Sequence, residues 1–362
     1  MEREYITNIS LDNLRKLLQE KGQPKFRYEQ ILRWVYQKRI DSFNEMKNLP
    51  KSLRDEFSHL FLISKLTIKA LQESSDGSAV KFAFKTESDS YIIESVLLYD
   101  GKRRSLCISS QLGCGLGCTF CESAKPGFIR NLEQYEILGQ LIAANDFLAE
   151  RSDKLVTNLV FMGMGEALSN YSNFISSLNI MMDNSCFGIG GRKITVSTAG
   201  VIPSLEKFLA EKINVNIAIS LNSFSNEKRS KIMPVNKRYP IEDLVAFAVS
   251  YYKTARRMVT FEYVVIEQEN DTLEAADTLM SILKKVPCKI NLIPLNDSKN
   301  CEMKGLKENH FTKREMKGAS ENRLNNFAGM LSERGLTVVV RKSRGRDIRG
   351  ACGQLTGILK QN

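Results

Sequence analysis

Histidine is nearly absent from this chain: His59 and His310 are the only two. A histidine-rich metal site and a histidine-based nucleophile relay are therefore disfavoured from the outset. Long apolar runs are missing too, so no segment reads as a membrane span. Met1 to Ser10 is charged and lacks the apolar stretch of a secretory signal. The expected location is the cytoplasm, where structural disulfides are rare, so the eight cysteines need another explanation. There is no internal repeat and no low-complexity tract. The single tryptophan, Trp34, has core packing as its expected role.

Acidic residues are in deficit. Lys and Arg outnumber Asp and Glu by 52 to 41, a net charge of +11. An excess of this size favours a polyanionic partner such as nucleic acid, although a generally basic set of proteins would give the same number. With 362 residues the chain can build one large core and an accessory domain.

Residues 1–60 read as helical. One amphipathic stretch runs from Asp12 to Lys21, a second starts near Tyr28, and a third follows Pro50. Residues 65–99 alternate as strands, with Asp76-Gly77 suited to a hairpin turn. From about residue 103, short β-rich runs alternate with helical patterns, as parallel strands joined by crossover helices require. The expected fold is α/β, with an N-terminal helical accessory domain (1–60), a small β-rich linker region (61–102) and a core (103–362). In such folds ligands sit at the C-terminal ends of strands. The conspicuous Gly and polar residues fall there: Gly163 to Glu166, Thr198 to Gly200, Asn222-Ser223 and Asn296-Asp297.

Cys114, Cys118 and Cys121 have the spacing C-x3-C-x2-C in a Gly-rich stretch. Three thiolates from one short loop can bind three irons of a [4Fe–4S] cluster and leave the fourth open to a small chelating molecule. Zinc suits the spacing less well, because structural zinc takes four protein ligands. Cys186, Cys288 and Cys301 are expected to be buried or incidental thiols.

With these cysteines the sequence resembles the radical S-adenosylmethionine (SAM) superfamily. Further segments resemble one family within it, the dual-specificity RNA methyltransferases. They are Cys107 to Cys114, Gly127 to Leu132, Phe161 to Glu166, Thr195 to Gly200, Met233 to Asn236, Lys289 to Pro294, Arg341 to Gly345 and Ala351 to Gln354. Phe26 to Tyr36 resembles that family's N-terminal helical domain, so the likeness spans essentially the whole chain, and residues 1–60 are expected to help hold RNA by phosphate contacts.

The resemblance implies a partial (βα)6-type radical SAM barrel carrying a [4Fe–4S] cluster and using two SAM molecules per turnover. The implied product is methylation at C2 of an adenosine in 23S rRNA, and in many members of the adenosine beside the tRNA anticodon. One SAM methylates Cys352. A radical from the second removes hydrogen from that methyl, and the resulting carbon adds to the base. Cys107 then attacks the sulfur of Cys352, and the disulfide so formed releases product. Such exchange is reasonable for two exposed, close cysteines. Glu94 matches the proton acceptor, which a strand position alone would have marked as a solvated edge residue.

Gly165, Glu166, Ser197, Ser220, Leu221, Asn222 and Asn296 match positions that contact SAM. The implied partners are RNA and an external electron donor such as flavodoxin or ferredoxin, with the chain acting as a monomer. The chain departs from the family pattern at Asn222, where His is usual, at Glu122 to Ala124, at Ala167, and over Asp297 to Ser320. Three alternatives stay open: C8 methylation or another RNA target, another radical SAM reaction, and a non-catalytic RNA-binding iron–sulfur protein.

Overall fold

The computed structural model describes residues 3–63, 65–87, 89, 91–296 and 316–357. The N-terminal stretch forms three helices, α1 (Leu11–Glu20), α2 (Phe26–Leu32) and α3 (Lys51–Leu60). Ser10 caps α1, its hydroxyl accepting from the Asn13 amide. The apolar faces of these helices bury Leu14, Leu18, Ile31, Leu53 and Phe57. Trp34 is half-buried against this core, and its indole N–H donates to Asn48. Gln134 ties the region to the rest of the chain by donating to the Thr7 and Ile9 carbonyls.

One ten-stranded sheet organises the remainder. Its strands are β1 (Thr67–Glu73), β2 (Ala79–Lys85), β3 (Ile92–Asp100), β4 (Arg103–Cys107), β5 (Asn158–Phe161), β6 (Ile194–Thr198), β7 (Asn216–Ser220), β8 (Val259–Val265), β9 (Cys288–Pro294) and β10 (Val338–Val340). Their order in the sheet is their order in the chain. Neighbours from β1 to β4 are antiparallel and need only turns. Residues 67–100 therefore continue the same sheet as the core, through the β3–β4 pairing.

From β4 onward every neighbour is parallel. Each connection then carries at least one helix: α4 (Gln134–Glu150), α5 (Tyr171–Met182), α6 (Ile202–Ala210), α7 (Asn226–Ile232) with α8 (Ile241–Ala255), α9 (Leu273–Leu283) and α10 (Glu321–Glu333). Alternate residues of these strands, including Ser105 and Cys107, Asn216 and Ala218, Thr260 and Glu262, and Asn291 and Ile293, line one common cavity. Only a sheet curved into an incomplete barrel turns those faces toward one another. The short β10 adds a seventh parallel strand to the six of a (βα)6-type barrel. The expectations placed on Cys301, His310 and most of the charged 297–320 segment lie outside the described residues.

Candidate active site

The cysteine loop leaves β4 and is held in a tight path by three backbone contacts. Cys114 N–H donates to Gly127 O at 2.9 Å, Thr119 N–H to Ile232 O at 3.0 Å, and Glu122 N–H to Gly353 O at 2.8 Å. Gly113 sits at φ +67°, where a Cβ would lie 1.9 Å from the Gly127 carbonyl oxygen, so only glycine fits. Cys114, Cys118 and Cys121 thereby line one cavity of about 150 Å³ at the C-terminal ends of the strands.

Burial pushes the Cys114 thiol up to about 12 and also raises Cys118 and Cys121; the three thiols are thus a natural site for a cationic group that would draw off their protons. Among the described residues no three His, Cys, Asp or Glu converge closely enough to hold a single metal ion. Three thiols spread around a cavity suit a polynuclear cluster, in which each iron takes one sulfur, better than zinc.

The same cavity is lined by Gly165, Glu166, Ser197, Ser220, Asn222 and Asn296. Gly165 lies at φ +90°, with Gln111 packed where a side chain would go. Glu166 is fully buried. One of its oxygens accepts from the Ala199 amide at 2.8 Å, and the other, Oε1, has no hydrogen-bond partner. Burial pushes this carboxyl from 4.5 up to about 7. An amino group entering the cavity would satisfy Oε1, which is the fit expected of a SAM-binding carboxylate. Ser197 donates to Glu262 at 2.8 Å.

Three candidate residues have roles different from a simple contact. Leu221 is packed in the core and outside the cavity lining. Asn222 lies at φ +55° with its side chain engaged inside the protein, accepting from the Val264 amide and donating to the Met233 sulfur. Asn296 donates to the Cys352 carbonyl at 3.2 Å and accepts from Arg346, so it helps to hold the C-terminal segment.

A second, larger cavity of about 820 Å³ fills the barrel and is lined by Cys107, Arg103, Arg257, Lys289, Arg341 and Arg344. Cys352 lines both cavities. Cys107 and Cys352 are free thiols. Cys107 is buried rather than exposed, because it ends a central strand paired on both sides. Burial, and secondarily Cys352, push its thiol up to about 12. The Arg341 guanidinium donates to the Met162 sulfur at 3.4 Å and lies 4.0 Å from Glu262. Cys352 is the main influence raising its pKa.

Glu94 is on the interior strand β3 and 5% exposed, so it is no edge residue. It pairs with Lys81 at 3.2 Å, and its other oxygen accepts from the Thr356 and Gly357 amides at 2.7 and 2.9 Å. It grips the segment that carries Cys352 and is outside the lining of either cavity. Pattern reading passed over Glu262, Arg229 and Gln111. A glutamate inside the apolar run Val259 to Val265 was a visible signal for the first. Nothing in the local sequence marks the other two.

Known proteins agree with this geometry. A model of the ribosomal RNA large subunit methyltransferase N-terminal domain matches residues 5–63, and one of the radical SAM superfamily matches residues 108–279. A probable dual-specificity RNA methyltransferase RlmN of Bacillus cereus is 40% identical, over 98% of this chain and 94% of the relative. The dual-specificity RNA methyltransferase RlmN of Pelobacter propionicus is 39% identical over 99% of this chain and 97% of the relative. The crystal structure of a radical SAM methyltransferase from Sphaerobacter thermophilus superposes with a TM-score of 0.88 at 34% identity, covering 98% of this chain and all of that one. Full-length identity at this level, on a barrel whose three loop cysteines share one cavity, shows that the chain belongs to the RlmN family of radical SAM RNA methyltransferases.

Proposed function

We propose that this chain methylates C2 of an adenosine in 23S rRNA, and the adenosine 3′ of a tRNA anticodon, by carrying the methyl group on Cys352. The observation that carries the reading is the position of Cys352 at the junction of the two cavities. From there its sulfur can take a methyl group on the side of Glu166 and the loop cysteines. It can present that carbon to a base in the larger, cation-lined cavity, whose size is that of a ligand pocket.

Cys114, Cys118 and Cys121 would hold a [4Fe–4S] cluster, and Glu166, Gly165, Ser197 and Ser220 would surround SAM. When bound, the cluster supplies the electron that cleaves SAM, and an external flavodoxin- or ferredoxin-type donor would restore it.

Arg341 lines the larger cavity together with Cys352, so a guanidinium shares that cavity with the sulfur that would attack a methyl group. Cys107 serves as the resolving thiol. Its attack on the Cys352 sulfur forms the S–S bond and breaks the C–S bond to the base; the electron pair of that bond stays on the carbon, which takes up a proton and becomes the methyl group of the product. Because its thiol is pushed up to about 12, it is protonated at rest and must lose a proton as it attacks. We assign Glu94 the role of proton acceptor. To reach the base it must release the Thr356 and Gly357 amides, so proton removal and movement of the Cys352 segment are linked. The basic rim would take RNA phosphates.

The test compares two variants purified from cells. Cys352→Ala is expected to carry no methyl group and form no product. Cys107→Ala is expected to accumulate a protein–RNA adduct through Cys352, seen as a nuclease-sensitive band on a denaturing gel and mapped by mass spectrometry. Full activity of Cys352→Ala, or an adduct on another residue, would exclude the methyl-carrier role.

A further inference from the structure

Arg229 has no solvent exposure at all and is the largest fully buried side chain among the described residues. It lies on α7, packed behind the strand ends that form the smaller cavity. Its guanidinium donates five hydrogen bonds, and every acceptor is neutral. Nε reaches Leu221 O at 3.0 Å. Nη1 reaches Asn236 Oδ1 at 2.8 Å and Tyr239 O at 3.3 Å, and Nη2 reaches Ala199 O at 2.8 Å and Ser220 O at 2.9 Å.

Among the described residues no carboxylate forms an ion pair with it. A buried cation without an anion is expensive, and proteins rarely keep one without a partner. Two of the residues it holds, Ala199 and Ser220, line the same cavity as Cys118. Cys118 is one of the three cluster cysteines. The end of α7 also holds the cysteine loop, through Thr119 N–H to Ile232 O.

We propose that Arg229 is the built-in countercharge of the iron–sulfur cluster, a positioning residue that raises the cluster's reduction potential. This rests on the cluster assigned above. Three thiolates on a [4Fe–4S]2+ core leave a net negative charge, and reduction adds another. A fixed cation nearby favours the reduced form more than the oxidised one, and cluster potentials follow such local charge. Burial keeps salt from screening the effect. The five hydrogen bonds explain why the charge stays in place: they satisfy the guanidinium donors while leaving its charge unneutralised. They also fix the carbonyls of Ala199, Ser220 and Leu221, of which Ala199 and Ser220 belong to the lining on the SAM side of the cavity.

The experiment is an anaerobic redox titration of the reconstituted cluster, followed by electron paramagnetic resonance, in wild type, Arg229→Gln and Asn236→Asp. Asn236→Asp puts a carboxylate on Nη1 with nearly the same shape, neutralising Arg229 without removing it. Iron content is measured on every sample. Both variants are expected to need a more negative potential, with an about tenfold lower ratio of reduced to oxidised cluster at a fixed poise. That ratio corresponds to about 59 mV for one electron.

If Arg229→Gln does not fold, Asn236→Asp alone decides. An unchanged midpoint in a fully iron-loaded Asn236→Asp protein overturns the proposal. Failure of wild type to bind about four irons per chain would instead overturn the cluster assignment.

Discussion

Replacing Glu166 by Gln should stabilise the ligand-free protein while weakening its hold on SAM. The carboxyl is fully buried, its Oε1 is unpartnered, and its pKa rises from 4.5 to about 7. The folded chain therefore holds a proton between these values that the unfolded chain has lost. Stability falls as pH rises through that window, and the whole penalty is present above pH 7. At about 1.4 kcal/mol for each tenfold change in proton affinity, the penalty is about 3 kcal/mol at high pH. About 2 kcal/mol of it develops between roughly pH 5.5 and 8.5.

Glutamine keeps an oxygen for the Ala199 amide and carries no charge. Urea unfolding of wild type and Glu166→Gln at both pH values isolates this group, because the other titrations cancel in the difference. The variant should gain about 2 kcal/mol on wild type as pH rises between the two. Its SAM affinity should fall by roughly tenfold or more, the loss expected with a charge-assisted hydrogen bond. A difference independent of pH would refute the burial argument. Unchanged SAM affinity would remove Glu166 from the SAM site.

Gly113→Ala should fold poorly or lose its irons, because its Cβ would lie 1.9 Å from the Gly127 carbonyl; iron analysis after reconstitution checks this, and full loading would contradict it. Any one of Cys114→Ala, Cys118→Ala and Cys121→Ala should abolish SAM cleavage, measured by release of 5′-deoxyadenosine. Lys289 and Lys342 are exposed at the rim of the larger cavity. If they meet phosphates, Lys289→Ala with Lys342→Ala should weaken RNA binding at low salt and reduce its salt slope by about one per lysine. An unchanged slope in filter binding would place the RNA elsewhere.

The sequence by itself determined the helical start, the strand–helix rhythm and the cysteine loop. Periodicity and the spacing of Cys114, Cys118 and Cys121 are local properties, and they survive whatever the chain packs against. Tertiary structure decided what was not local. Glu94 looked like a surface residue because a strand position does not disclose how many neighbours flank it. The β2–β3–β4 pairing buries it under residues far along the chain, Thr356 and Gly357. Cys107 was expected to be exposed for the same reason.

Asn222 and Leu221 sit at a strand end where a ligand is expected, yet the left-handed turn there points one side chain at Met233 and Val264 and the other into the core. Arg229 falls within a charged run, Asn226 to Lys231, where it reads as one more solvated cation. Only folding shows that it faces Ala199, Ser220 and Asn236 with no solvent around it. Charge type is written in the sequence. The field a charge produces depends on what surrounds it, and distant segments set those surroundings.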